Sequence, residues 1–432
     1  MKNMRKTTAI VIAALMICSF AACSGQGKDT ASSDSNTSAV SASDTASSGT
    51  GDTSAQESGA SGEASQTASS VESVSTEFNG NSSGKIDTTD LFTKRDLLQT
   101  PDLSGARTIT ASDKKTETIS EEGTYIITGT ASDFTVKVEA DSKSKVQLVL
   151  DNLNVTNESA PVIYVVSADK CFVTTNGNES SLTVSGSFDS DGDTKTDAVI
   201  FAKDDLVLNG TGTLTISAAN GNGIAAKDDL KVTGGTYKIT SSGDSIEVKD
   251  SVSICGGTIE IESSKDGIQC KNKDDETKGA VYIAAATIRI NAANDAVQAA
   301  TVCQIDSGTL ELSGNEGIES TYVQINGGEI VITATDDGIN AGQKTNYSTP
   351  TIEINDGSIK ITVGQGDTDA IDSNGDIIVN GGTIDITSTV SSFDYDGTAQ
   401  YNGGTIIING EQVDSIPQST MGGGMGGMPG MQ

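Results

Sequence analysis

The chain reads as all-β and, more narrowly, as a right-handed parallel β-helix with rungs of about 22 residues. The first reason is a recurring unit: Gly256-Gly257-Thr258-Ile259-Glu260-Ile261 followed by Asp266-Gly267-Ile268. It returns as Gly234-Gly235-Thr236-Tyr237-Lys238-Ile239 with Asp244-Ser245-Ile246, and as Gly327-Gly328-Glu329-Ile330-Val331-Ile332 with Asp337-Gly338-Ile339. A fixed period of this length marks a stack in which each rung touches only its neighbours. The second reason is period-2 alternation, in Ile259/Ile261, Ile288/Ile290, Leu310/Leu312 and Ile384/Ile386, which puts one apolar face on each short strand. The third is composition: 48 Gly, 5 Pro and 4% aromatic residues suit many short strands with tight turns.

Residues 1–23 read as an export signal. Lys2, Arg5 and Lys6 form a basic start, Ala9 to Ile17 an apolar stretch, and Ser19-Phe20-Ala21-Ala22-Cys23 the cleavage region. The small-small-Cys ending looks like a bacterial lipoprotein box with Cys23 as the lipidated residue, although Phe20 stands where Leu is usual. An ordinary secretory peptide is the alternative. The expected location is extracellular, lipid-anchored to the outer face of the cytoplasmic membrane. No later stretch holds the ~18 apolar residues of a membrane span.

Residues 24–84, nearly all Ser, Thr, Ala, Gly, Asp and Glu, cannot bury apolar surface and are expected to form a disordered spacer. Residues 85–410 are expected to form the β-helix. Its early strands, at Tyr125-Ile126-Ile127, Val146 to Leu150 and Val162 to Val165, are less regular. The clear repeat runs from Thr213 through Thr236, Thr258, Thr287, Thr309, Glu329, Ser358, Thr383 and Thr405, with spacings of 20 to 25 residues and two of 29. Asn272 to Lys278 and Gln343 to Tyr347 supply the extra length, as loops inserted at a turn. Insertions at one turn of a regular coil tend to build a functional face. Two further strands complete each rung, as in Ile246-Glu247-Val248 and Val252-Ser253-Ile254. Residues 411–432 are expected to form a disordered Gly/Met-rich tail; soft-metal binding by its Met residues is a lesser alternative.

The 27 Lys and Arg face 59 Asp and Glu, a net charge of -32. Such a surface repels nucleic acid and anionic lipid and attracts cations. With no His and no Trp, Ser-His-Asp and Cys-His catalysis and His-ligated zinc are excluded. The six Cys form no CxxC pair or disulfide framework: Cys18 and Cys23 lie in the export segment, and the others read as small buried hydrophobes. A monomer is expected.

The repeat carries two oxygen-bearing columns. One runs Asp197, Asn222, Asp244, Asp266, Asp295, Glu316, Asp337, Asp369; the other, three residues on, Glu247, Gln269, Gln298, Glu319, Asn340, Asp372. Rungs stack at ~4.8 Å, and carboxylates that close repel by roughly 1 kcal/mol in water and ~3–4 kcal/mol at an effective dielectric of 20. Calcium, with 6–8 oxygen ligands, would relieve this. The strongest candidates are Asp337 with Glu316 and Glu319, and Asp369 with Asp372. Asp266 with the inserted Asp274 and Asp275 comes next, and Asp244, Glu247, Asp295 and Asn340 complete the set. The plainer alternative is turn chemistry, each Asp bonding the backbone two residues on. Asp189 to Asp197 is not an EF-hand, because its Gly is misplaced and its twelfth position is Ile200.

Ala202-Lys203-Asp204-Asp205-Leu206, Ala226-Lys227-Asp228-Asp229-Leu230, the Gly-Gly-Thr-Ile rungs, Lys265-Asp266-Gly267-Ile268 and the acidic insertion after Lys271 resemble the carbohydrate-binding β-helix lipoproteins of clostridia and relatives. The resemblance covers roughly residues 100 to 410. It implies a fold similar to family 9 pectate lyases, calcium, and binding of acidic plant polysaccharide, notably polygalacturonate, and of cellulose, without established catalysis. Three functions follow as expectations. The leading one is a non-catalytic, calcium-bridged binder of uronate-containing polysaccharide. The second is a pectate lyase, with Lys271 or Arg289 abstracting the proton alpha to a uronate carboxylate. The third is a surface protein that calcium only rigidifies.

Overall fold

A computed structural model of the protein describes residues 84–366 and 368–418, with Ser75, Thr76, Phe78 and Gly80. The export segment with Cys23, most of the spacer and the Met-rich end lie outside the described residues. Among those described there is no helix; the secondary structure is strands throughout.

Each rung contributes three strands, and each strand pairs in parallel with its counterpart in the next rung. The first column holds the Gly-Gly-Thr strands, such as Thr236–Ser241, Thr258–Ser263 and Thr287–Ala292. The second follows the acidic turn, with Ile246–Val248, Ile268–Cys270 and Val297–Ala299. The third holds Ser251–Ile254, Ala280–Ile283 and Val302–Ile305. The second column is a 12-stranded sheet; the first and third join in a 24-stranded one. They join because the 13-residue strand Lys145–Asn157 pairs with both Lys170–Thr175 and Glu179–Ser187.

Register puts like on like. Ile259 pairs with Ile288 and Ile261 with Ile290, Ile268 with Val297, and Val281 with Cys303. These side chains are buried in one continuous core running the length of the stack. Cys171, Cys270 and Cys303 sit inside it as free thiols, as the alternation predicts.

Two glycine positions fix the turns. Gly257, the second of Gly-Gly-Thr, has φ of 89°, a left-handed conformation that side chains resist. Gly267, of Asp-Gly-Ile, is needed for space: a Cβ there would overlap the Ile290 methyl and lie 2.6 Å from the Ala296 carbonyl oxygen of the next rung. Ahead of the Gly-Gly turns runs an asparagine ladder. Asn355 Nδ2 donates to Asn326 Oδ1 (2.8 Å), Asn380 to Asn355 (2.7 Å) and Asn402 to Asn380 (2.8 Å).

Both ends of the expected β-helix domain differ from the sequence reading. Residues 84–100 are not a rung; they form a strap along the outward side of the third column, and the first strand is Arg107–Thr110. Lys85 N donates to Gln324 Oε1 (2.8 Å) and Ile86 N to Gln304 Oε1 (2.6 Å). Farther along, Gly210 N donates to Gln99 Oε1 (2.8 Å). Phe92 packs with Cys255, Tyr282 and Ala284, and Phe78 meets Phe92 edge-on at 4.7 Å. Asp96 is fully buried between Lys170 (3.3 Å) and Lys231 (3.8 Å). At the other end residue 411 does not open a featureless tail. Glu411–Val413 pairs antiparallel with Thr405–Ile408, and Ile416 enters the core.

Candidate functional site

Both oxygen-bearing columns line the acidic turn and the second sheet. Register confirms the second column: Glu247 pairs with Gln269, then Gln298, Glu319, Asn340 and Asp372 in turn. In the first column the carboxylates do bond backbone, but across rungs rather than within the turn. Asp266 N donates to Asp244 Oδ1 (3.1 Å), Asp295 N to Asp266 Oδ1 (3.2 Å), and Asp369 N to Asp337 Oδ1 (2.9 Å). Asn222 opens the series by accepting from Asp244 N (2.9 Å). One oxygen of Asp244, Asp266 and Asp337 is thus spent on stacking, and the second oxygen of Asp266 accepts from Gln269 Nε2.

Glu316 breaks that pattern, and a site forms around it. Oxygen atoms of Asp295, Glu316 and Glu319 lie within 4.8 Å of one another. Asp295 and Glu319 are buried and Glu316 half-buried. Gln298 Nε2 donates to Asp295 Oδ2 (2.8 Å) and Glu319 Oε2 (2.6 Å), and Asn340 Nδ2 to Glu316 Oε1 (3.2 Å). Glu316 Oε2 and Asn340 Oδ1 are buried with no hydrogen-bond partner. Burial, then the charges of Glu319 and Asp295, push Glu316 up to about 8. Burial and the charges of Glu319 and Asp266 raise Asp295 as well. A dehydrated carboxylate among like charges either takes a proton or takes a cation.

The two inserted loops stand over this floor and touch, Asn346 Nδ2 donating to Glu276 Oε2 (3.0 Å). Between them lies a cleft of about 340 Å3 lined by Lys271, Glu276, Gln298, Ala299, Lys344 and Thr345. Lys344 forms an ion pair with Glu319. Toward the N-terminal rungs a second groove, of about 540 Å3, holds Asp197, Asp244, Glu247 and Gln269.

Burial, then the charges of Asp337, Asp369, Asp394 and Asp396, push Asp372 up to about 7, so the C-terminal acids share one field. Glu247 accepts from Asn222 Nδ2 (2.5 Å) and lies 3.9 Å from Lys227. Asp266 is not joined by the insertion: Asp274 pairs with Lys249 (2.9 Å) and Asp275 accepts from Thr277 Oγ1 (2.6 Å). Their short side chains are spent on their own loop and on the neighbouring turn. The grouping of Asp337 with Glu316 and Glu319 gives way to Asp295 with the same two, since Asp337 is taken by the Asp369 N–H. Arg289 lies on the first column, pairs with Glu311 (3.4 Å) and lines a surface there with Lys238 and Glu260. Of the two proposed bases only Lys271 borders the acidic groove. In the Asp189–Asp197 loop Asp189 accepts from Ser159 (2.6 Å) and Asp191 pairs with Lys137 (3.4 Å).

A second acidic trio escaped the sequence reading. Asp205, Asp228 and Asp229 also bring oxygens within 4.8 Å, at the turn between the second and third columns. Burial, the facing Asp250 and the charge of Asp205 raise Asp228. The repeated Lys-Asp-Asp at 203–205 and 227–229 was its signal.

A model of the carbohydrate-binding domain-containing protein family matches residues 113–365 and 313–415. A carbohydrate-binding domain-containing protein of Acetivibrio thermocellus is 43% identical over 198 residues, which is 45% of this chain and 69% of that protein. The chain therefore belongs to this carbohydrate-binding family. The solved polysaccharide lyase-like protein from C. thermocellum, in a gadolinium derivative, aligns with 70% of this chain and 94% of its own at 22% identity and a TM-score of 0.32.

Proposed function

We propose that the chain is a right-handed parallel β-helix that holds calcium on its acidic edge and binds uronate-containing plant polysaccharide without cleaving it. Export and lipidation at Cys23 would place it on the cell surface. One observation carries the metal: Asp295, Glu316 and Glu319 converge while Glu316 Oε2 and Asn340 Oδ1 are left without partners. Oxygen donors and flexible carboxylates suit calcium, which takes 6–8 oxygens at 2.3–2.6 Å. Asp295, Glu316, Glu319 and the Asn340 amide would hold it, with sugar carboxylates filling outward positions. A bound divalent ion reverses the local sign of charge and so admits a polyanion to an acidic surface. Membership of a carbohydrate-binding family supports the glycan.

Affinity electrophoresis on polygalacturonate, with and without calcium, tests this. Retardation that calcium strengthens is expected, with the calcium-dependent part falling about tenfold or more in Glu316→Gln. Equal mobility on polygalacturonate and plain gels under both conditions would overturn the reading. Accumulation of unsaturated uronide during incubation would instead establish a lyase, for which Lys271 is the base that borders the groove.

A further inference from the structure

The larger groove on the acidic edge is rimmed by Lys195, Lys265, Lys271 and Lys273. In a chain with 27 cations against 59 acids, many cations on this edge pair with neighbouring carboxylates. Lys227, Lys249, Lys278 and Lys344 are so paired. None of the four rim lysines makes an ion pair or a side-chain hydrogen bond among the described residues. Lys271 and Lys273 also line the neighbouring cleft under the inserted loops, so the two depressions adjoin. The floor is of opposite character: Asp197, Asp244 and Glu247, with the Asn222 and Gln269 amides. Asp197 Oδ1 is buried there with no hydrogen-bond partner.

We propose that this lysine-rimmed groove is a separate, metal-independent subsite that takes the carboxylates of an acidic glycan directly on Lys195, Lys265, Lys271 and Lys273. The inference rests on the reading that the chain binds such a glycan. It assigns part of that binding to residues other than the calcium ligands. Rim and floor together fit a ligand that carries both anions and hydroxyls. Ammonium groups meet the sugar carboxylates, and the carboxylate and amide oxygens that reach the groove surface accept from the hydroxyls. A neutral glycan would leave the lysines unsatisfied, and a polyanion without hydroxyls would meet the acidic floor unfavourably. Exposed ammonium contacts are screened by salt, whereas a calcium bridge in a half-buried site is screened less.

The test measures polygalacturonate binding by full-length wild type and by the Lys195→Gln/Lys265→Gln/Lys271→Gln/Lys273→Gln variant, in excess calcium and in chelator. Thermal melts check that the variant is folded. Wild type in chelator is expected to keep a component that weakens with added salt and with methyl esterification of the polymer. The lysine variant is expected to lose that component by about tenfold or more and to keep its response to calcium. Loss of all wild-type binding in chelator, with binding restored by calcium, overturns the lysine subsite and leaves the calcium reading standing. Equal binding by the variant, or by the methyl-esterified polymer, in chelator also overturns it. Absence of binding under every condition overturns the reading it rests on.

Discussion

At the scale of single residues, the site is governed by what an Asp can reach and a Glu cannot avoid. Asp244, Asp266 and Asp337 in the first column are short enough to accept the next rung's N–H, as Asp244 does from Asp266. Glu316, one methylene longer, projects a carboxylate into the space between Asp295 and Glu319. Its pKa, about 8 in the folded chain against an ordinary 4.5, fixes a pH dependence. Between those values the folded chain holds a proton that the unfolded chain has released, so stability falls as pH rises through the window. In chelator, thermal melts from pH 5 to pH 8 are expected to show a loss on the order of 1–3 kcal/mol. Excess calcium should reduce the slope by replacing the proton, and Glu316→Gln should reduce it without calcium, the raised Asp372 and Asp228 keeping the remainder. A flat profile for chelated wild type would contradict this account. The two columns were legible in the sequence, because the repeat alone aligns Glu316 with Asp295 and Glu319 with Gln298. Which acids converge was not. That choice depends on side-chain reach and on backbone donors such as the Asp369 N–H, which no spacing encodes.

At the scale of the rung, strands are set by alternation and turns by glycine, and both were readable. Gly-Gly-Thr and Ile-x-Ile recur because parallel stacking repeats the same environment at each level. The reason for the glycine in Asp-Gly-Ile was not readable. It answers to the next rung's Ile290 and Ala296, a contact set by how closely rungs pack at that corner. Gly267→Ala is accordingly expected to destabilise the protein by about 1–3 kcal/mol, since the obstruction includes backbone. Urea denaturation measures it, and an unchanged midpoint would show that the corner has slack. The aligned Ala296 shows that other levels accept a methyl group, so the penalty should be specific to its level.

At the scale of the whole molecule, the strap is the exception to nearest-neighbour construction. Residues 84–100 are bonded at one end to Gln324 and Gln304 and at the other to Gly210. They tie together rungs that otherwise meet only through the rungs between them. Nothing periodic announces the strap; Leu91-Phe92 and Leu97-Leu98 were its only sequence trace, and a non-repeating segment gives no register. Its position makes a measurable difference to one thiol. Cys255 lies beneath Phe92, and burial first, then the nearby Asp96 carboxylate, pushes it up to about 12. The other described cysteines sit inside the stack. A chain beginning at Thr100 is expected to label at Cys255 at least about tenfold faster with a thiol reagent, and Cys255→Ser should abolish the gain. Slow labelling in the shortened chain would mean that the third column shields the thiol unaided.

A column of parallel strands is also a template, because the last rung offers a copy of the chain the same edge that each rung offers the next. Left bare, that edge would invite head-to-tail growth into a filament. The chain turns back on itself there. Glu411–Val413 occupies the edge in the opposite direction, Ile416 plugs the exposed core, and Gln418 Nε2 takes the Tyr395 carbonyl at 3.0 Å. The few residues after the final Gly-Gly-Thr strand thus cover the edge that this strand would otherwise present.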